Sequence, residues 1–215
     1  MNALPQTGKA GSPVYWQRAK LALGRRDPVM RAIIKRHPRI ALRSRGDAFQ
    51  TLARSIVGQQ ISVKAADSVW ARLGRLSPAM RPDEIARSRR DRLLAVGLSE
   101  RKAEYLRDLA RRFCDGSLHA TRWDEMDDES VIEDLTQVRG IGRWTAEMFL
   151  IFNLLRPNVL PLDDLGLRKA VRIHYFDGDE ANVETIRTLA CDWEPWRSVA
   201  TWYLWRSLDP VPVEY

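Results

Sequence analysis

Leu135-Thr136-Gln137-Val138-Arg139-Gly140-Ile141-Gly142-Arg143-Trp144-Thr145-Ala146 is the stretch on which the reading of this chain turns. Gly140 and Gly142 interrupt apolar helical patterns on both sides, which predicts two helices joined by a tight hairpin. Glycine admits positive φ and removes side chains from the path of an approaching group. The N–H groups of the hairpin and of the helix start behind it can then point at one anion. A phosphate held in this way positions a protein without reading bases. Gly-x-Gly between helices can equally be a tight turn and nothing more, so the hairpin alone does not decide function.

The flanks extend the helical pattern. Thr145 to Leu155 is almost wholly apolar (Ala146, Met148, Phe149, Leu150, Ile151, Phe152), which predicts a central helix. An acidic stretch, Asp124 to Asp134, leads into Leu135. Further out, Asp47 to Val57 carries Phe49, Leu52, Ile56 and Val57 on one helical face, and Gly58-Gln59-Gln60 breaks it. Ser62 and Ser99 stand as N-caps of the next helices, and Asp27-Pro28 pairs a cap with proline at the first helical position. His37-Pro38 ends that helix. Leu165–Tyr175, Val183–Ala190 and Arg197–Ser207 complete the pattern. No run alternates with period two, so the expected fold is all-α with roughly a dozen short helices.

Composition narrows the class. The chain has 215 residues, 45% apolar and 29% charged, which suits a folded globular protein and excludes wholesale disorder. No stretch approaches the ~18 consecutive apolar residues of a membrane span. Met1 to Ser12 reads as a frayed tail and lacks a secretory pattern, so a cytoplasmic location is expected. Cys114 and Cys191 are too few for a cysteine-rich metal site, and His37, His119 and His174 show no ligand spacing. The net charge is +7, and only six of the 35 basic residues are lysine. Arginine forks onto phosphate oxygens, so a polyanionic partner is expected, although a basic composition alone does not require one. Arg25 to Arg45 holds eight basic residues and one acid, either a phosphate-facing surface or a solvated face.

About twenty residues beyond the hairpin stands Pro161-Leu162-Asp163-Asp164-Leu165-Gly166-Leu167-Arg168. With the hairpin, this segment resembles the helix-hairpin-helix DNA glycosylases, and among them the alkylbase enzymes of the DNA-3-methyladenine glycosylase II type. Three further segments fit in the family's order: Ser55–Ser62 with Ala65-Ala66; Gly97-Leu98-Ser99 with Lys102 and Tyr105; and Trp193–Ser198 with Trp205. The likeness covers about Phe49 to Leu208.

The resemblance implies a two-lobed helical fold with the active-site cleft between the lobes. It implies a central lobe of residues 49–155 containing the hairpin, and a second lobe built from 1–48 and 156–215. Asp164 is the implied catalytic residue, because relatives place an apolar residue three positions after the acid and Leu167 satisfies this. Asp163 is then expected to cap the helix starting near Leu165. Relatives that also cut the strand carry a lysine where this chain has Trp144. Without that amine no Schiff base forms, which implies a monofunctional enzyme.

Trp144, Trp205 and Met148 fall where relatives line the base pocket, whereas Trp193, Trp196 and Trp202 read as core. Gly140, Ile141, Gly142, Arg143 and Thr145 are the implied phosphate-binding residues. Gln59 and Gln60 lie where relatives plug the gap left by a flipped base, with Gln60 the candidate plug. Either glutamine could instead satisfy backbone groups at the helix break. The carbonyls of Thr136, Val138 and Ile141 are the implied donors for a monovalent cation, and no essential cofactor is expected. The implied partner is double-stranded DNA containing alkylated bases, bound by a monomer away from any membrane. Two rivals remain open at this point: a non-catalytic DNA-damage-binding protein, and a glycosylase for uracil, mismatched or oxidised bases.

Overall fold

A computed structural model describes residues 12–39 and 41–208. Residues 1–11 of the tail expected over Met1 to Ser12 lie outside the described residues. Twelve α-helices and one 3-10 turn make up the described residues, with no strand among them. None of these helices is long and apolar enough to cross a membrane.

The described residues divide into two compact units, one of residues 12–39, 41–44 and 150–208, the other of residues 45–149. The second unit holds α3 (Ala48–Gly58), α4 (Val63–Leu76), α5 (Pro82–Arg87), α6 (Arg90–Ala95), α7 (Glu100–Asp115), α8 (Asp128–Thr136) and most of α9 (Arg143–Phe152). Side-chain oxygens accept the first-turn N–H groups of several of these helices: Asp47 from Gln50, Ser62 from Ala65, Ser99 from Lys102 and Asp127 from Ser130. Each such cap is worth about 1 kcal/mol. Helix α7 is the spine, with α3, α5 and α6 packed along it.

An aromatic chain runs through this core, Phe49 to Phe113 to Trp123 to Phe149, with ring centroids 5.2–5.9 Å apart and near-perpendicular planes. Such edge-to-face pairs add roughly 0.5–1.5 kcal/mol each beyond the area they bury. The fully buried Trp123 indole donates to the buried Asp134 carboxylate at 2.6 Å, which also accepts the His119 N–H at 2.9 Å. Asp134 thereby satisfies the loop before α8, a buried charge that would be costly without these donors.

The first unit holds α1 (Trp16–Arg26), α2 (Pro28–Arg36), the end of α9, α10 (Leu165–Tyr175), α11 (Val183–Leu189), a 3-10 turn (Ala190–Trp193) and α12 (Arg197–Leu208). Helix α12 packs on α1, α2 and α10. Trp16, buried to 1% exposure, lies edge-on to Trp202 and is stacked on Tyr203. The expected cap at Asp27 is present: its carboxylate accepts from Val29 and Met30 N–H and also from the Tyr175 hydroxyl and the Trp193 indole. One buried carboxylate therefore ties α2, α10 and the 3-10 turn together.

The helix expected at Thr145–Leu155 starts earlier and ends at Phe152. Leu155 sits at φ 54°, a backbone angle that a helix cannot continue through. From there the chain is tied down toward residue 164. Tyr15 Oη donates to the Leu155 carbonyl at 2.7 Å. The fully buried Ser198 hydroxyl donates to the Arg156 carbonyl at 2.6 Å and accepts the Val159 N–H at 2.9 Å.

Candidate active site

Asp164 is the N-cap of α10, with extended backbone (φ −74°, ψ 117°). Its side chain is buried to 6% exposure. Oδ1 accepts two hydrogen bonds, from the Leu167 N–H at 2.6 Å and from the Trp205 indole Nε1–H at 2.7 Å. The carboxylate thus faces the positive end of a helix and an indole donor together. Asp163 is exposed, so the expectation that Asp163 caps this helix is corrected. The cap is the residue immediately before Leu165, and the extended backbone of Asp164 turns its oxygen back onto the first turn.

Two residues packed around the Trp205–Asp164 pair had no role in the sequence reading. Phe152 stacks on Trp205 with centroids 5.7 Å apart and planes 13° from parallel. Gly166 lies so close that an added Cβ would stand 3.0 Å from Trp205 Cδ1 and 3.1 Å from Asp164 Oδ1. Gly166 was legible as a glycine two residues after the acid. Phe152 looked only like another core residue of an apolar helix.

The other predicted residues gather at the hairpin in the second unit. Gly140 takes φ 83°, and a Cβ there would fall 2.1 Å from Tyr105 Cδ2. Glycine is needed at this position for both backbone angle and space. Gly142 does not take a left-handed angle, and open space lies where its Cβ would be. The hairpin's conformational demand therefore falls on one glycine, not on both. Asp108 Oδ2 accepts the Arg139 N–H at 3.0 Å and also meets Arg112 at 3.3 Å. Tyr105 and Asp108, one turn apart on α7, thus support the hairpin from beneath.

Gln59 Nε2 donates to the Gly140 carbonyl at 2.8 Å, so the end of α3 is fastened to the hairpin. Lys102 Nζ donates to the Val57 carbonyl beside it at 2.8 Å, and partial burial lowers the pKa of that ammonium. Gln60, by contrast, is exposed and held at φ 58°. A non-glycine residue in this region is uncommon and points to a constraint from function or packing. Arg143 is forked onto Glu129 at 2.8 and 2.5 Å and reaches Glu147 at 3.2 Å. Its hydrogen bonds to Glu129 raise its pKa further and lower that of Glu129. Trp144 is half-buried and Met148 buried, one turn apart on α9, and Thr145 is buried between them in sequence. The Val138 carbonyl accepts the Ile141 N–H at 3.1 Å, closing the turn. Ile141 is itself buried.

A hairpin shaped by one left-handed glycine and a capped carboxylate within an all-helical chain define a class. Residues 53–195 match the model of the HhH-GPD superfamily base excision DNA repair proteins, and the chain belongs to that family. It is 34% identical over 167 residues to the DNA-3-methyladenine glycosylase 1 of Schizosaccharomyces pombe, an alignment covering 75% of this chain and 72% of that protein. Its fold matches a DNA-3-methyladenine glycosidase from Bacillus halodurans with TM-score 0.75 at 32% identity, covering 85% of this chain and 90% of that one. It also matches the S. pombe 3-methyladenine DNA glycosylase in complex with abasic DNA, with TM-score 0.74 at 29% identity and coverage of 88% and 96%. The chain spans about two thirds of the length of the first curated relatives it matches.

Proposed function

We propose that this protein is a monofunctional DNA glycosylase that removes alkylated bases, of the 3-methyladenine and 7-methylguanine type, as the first step of base excision repair. The observation that carries this reading is the Asp164 carboxylate, buried and oriented by Leu167 and Trp205, in a chain of this family with Trp144 at the lysine position of strand-cutting relatives.

Alkylation at a ring nitrogen makes the base cationic and a ready leaving group, so the site has little need of a general acid. As the bond between C1′ and the base nitrogen breaks, positive charge develops on the sugar. The bond's electron pair neutralises the departing base. Asp164 supplies fixed negative charge to the oxocarbenium-like sugar. It also orients the water that forms the new C1′–O bond and takes up that water's proton. The target base must leave the stack to reach the site. The face of Trp205, whose indole holds Asp164, suits a flat cationic ring; on α9, Trp144 offers a face of the same kind and Met148 an adaptable thioether.

The hairpin from Gly140 to Thr145 holds a DNA phosphate through its backbone N–H groups. Gln60 enters the duplex where the base has left. The neutral carbonyl oxygens of Thr136, Val138 and Ile141 suit a hard monovalent cation, which would supply positive charge beside that phosphate. The protein acts as a single chain on duplex DNA. Base release from DNA methylated at ring nitrogens, with wild type beside Asp164→Asn, tests the reading. Free 3-methyladenine or 7-methylguanine from wild type alone supports it. No release from either protein, or equal release from both, overturns it, and equal activity on uracil-containing DNA would overturn the substrate class.

A further inference from the structure

We infer that Gly166 is a positioning residue of this site: having no side chain, it lets the Trp205 indole N–H reach Asp164 Oδ1, and so sets where the carboxylate stands. The kinetic consequence rests on the glycosylase reading above, whereas the structural consequence does not.

Gly166 is the second residue of α10 and does not take a left-handed backbone angle. Backbone conformation therefore gives no reason for glycine, and helix propensity favours alanine. What glycine supplies is space. A Cβ at this position would lie 3.0 Å from Trp205 Cδ1, 3.1 Å from Asp164 Oδ1 and 3.2 Å from Trp205 Nε1. Each of these distances is tighter than ordinary van der Waals contact between heavy atoms. The added carbon would press from the side on both the donor and the acceptor of one hydrogen bond.

Neither side can withdraw at no cost. Oδ1 is already held at 2.6 Å by the Leu167 N–H, so moving it strains or breaks the helix cap. The indole is backed by Phe152, stacked with planes 13° apart. The pressure falls on the 2.7 Å bond between Trp205 and Asp164, which is strained as either partner gives way by a few tenths of an ångström. Hydrogen bonds weaken steeply once distance and angle leave their narrow range. A catalytic group displaced by an ångström can cost on the order of a hundredfold in rate, and a shift of a few tenths costs a smaller factor.

The test combines kinetics with a signal that does not depend on turnover. Gly166→Ala, Trp205→Phe and the double variant are compared with wild type for kcat and KM on methylated DNA and for affinity to an abasic duplex. The Trp205 indole N–H resonance, assigned by its loss in Trp205→Phe, is followed in the ¹H–¹⁵N spectrum. Gly166→Ala is expected to remain folded with a melting temperature near that of wild type, because alanine's helix preference offsets the strained contact, to lower kcat about tenfold with abasic-duplex affinity within about threefold, and to move that resonance upfield as its hydrogen bond weakens. The double variant should be no slower than the slower single variant, because both changes act on one bond. An unmoved resonance in Gly166→Ala overturns the inference, as do rate losses that multiply in the double variant. If wild type releases no base, the glycosylase reading fails by itself, and the resonance still decides the role of Gly166.

Discussion

Tyr105 occupies the space in which Gly140 would carry a side chain: a Cβ on Gly140 would lie 2.1 Å from Tyr105 Cδ2. The ring and the glycine are partners across 35 residues of sequence, and the hairpin keeps its shape through their fit. Gly140→Ala should cost at least ~2 kcal/mol, combining the roughly 1–2 kcal/mol of a left-handed alanine with the displacement of Tyr105. Tyr105→Ala in the same chain should recover the steric part. Gly142→Ala, with open space around it, should stay within about 0.5 kcal/mol of wild type. Urea denaturation of the four proteins checks the order, and a Gly140→Ala variant as stable as wild type would contradict it.

Asp164 serves α10 as well as the proposed chemistry, and the two roles separate by substitution. Asparagine caps helices about as well as aspartate, so Asp164→Asn should change stability by no more than about 0.5 kcal/mol. Asp164→Ala should lose about 1 kcal/mol or more, since the cap and the Trp205 donor both lose their acceptor. Both should abolish base release while retaining affinity for an abasic duplex. Thermal melts beside a base-release assay make the comparison.

Gln59 and Gln60 are neighbours with opposite expected phenotypes. Gln59→Ala removes the hydrogen bond to the Gly140 carbonyl and should cost about 1 kcal/mol of stability. Gln60→Ala should leave stability nearly unchanged, and Gln60→Gly should raise it by roughly 0.5–1 kcal/mol by relieving φ 58°. Single-turnover base release should nevertheless slow in both Gln60 variants, because the proposed plug is gone. Unchanged rates in both would remove Gln60 from the DNA interface.

The fork between Glu129 and Arg143 sets a pH dependence. Hydrogen bonds from Arg143 hold the pKa of Glu129 below its ordinary value of 4.5. A depressed carboxylate stabilises the fold above its unfolded-state pKa, and that contribution disappears as pH falls through the folded-state value. Glu129 is largely exposed, so screening limits the effect to about 0.5 kcal/mol or less. Glu129→Gln should therefore be slightly less stable than wild type at pH 7, with the gap closing well below pH 4.5. Denaturation at pH 7 and pH 3 measures both ends. A gap that widened in acid would contradict the assignment.

Much of this molecule could be read from its residues. Helix starts were the most legible, because Asp27, Ser62 and Ser99 are residue types whose short side chains bond the first-turn amides. Local chemistry of that kind leaves a mark in the sequence. The hairpin was legible for the same reason, although one glycine carries its conformational demand where two were expected. The residues missed act at a distance. Phe152 reads as one apolar position among six, and only the tertiary path that brings α12 against it reveals its stack on Trp205. Tyr105 and Asp108 support the hairpin from a helix more than thirty residues away, which no local pattern records. The choice between Asp163 and Asp164 as cap went the wrong way because one residue was denied two duties. The backbone at Asp164 allows both.

That double duty makes the first turn of α10 a ruler. The side chain of aspartate is the shortest that ends in a carboxylate, and its length is what lets the oxygen fold back onto its own helix. Glutamate at the same position would carry equal charge one methylene further out and could not measure the same distance. The acid's coordinates are written in the geometry of a helix start, and they change only if that helix is made to begin elsewhere.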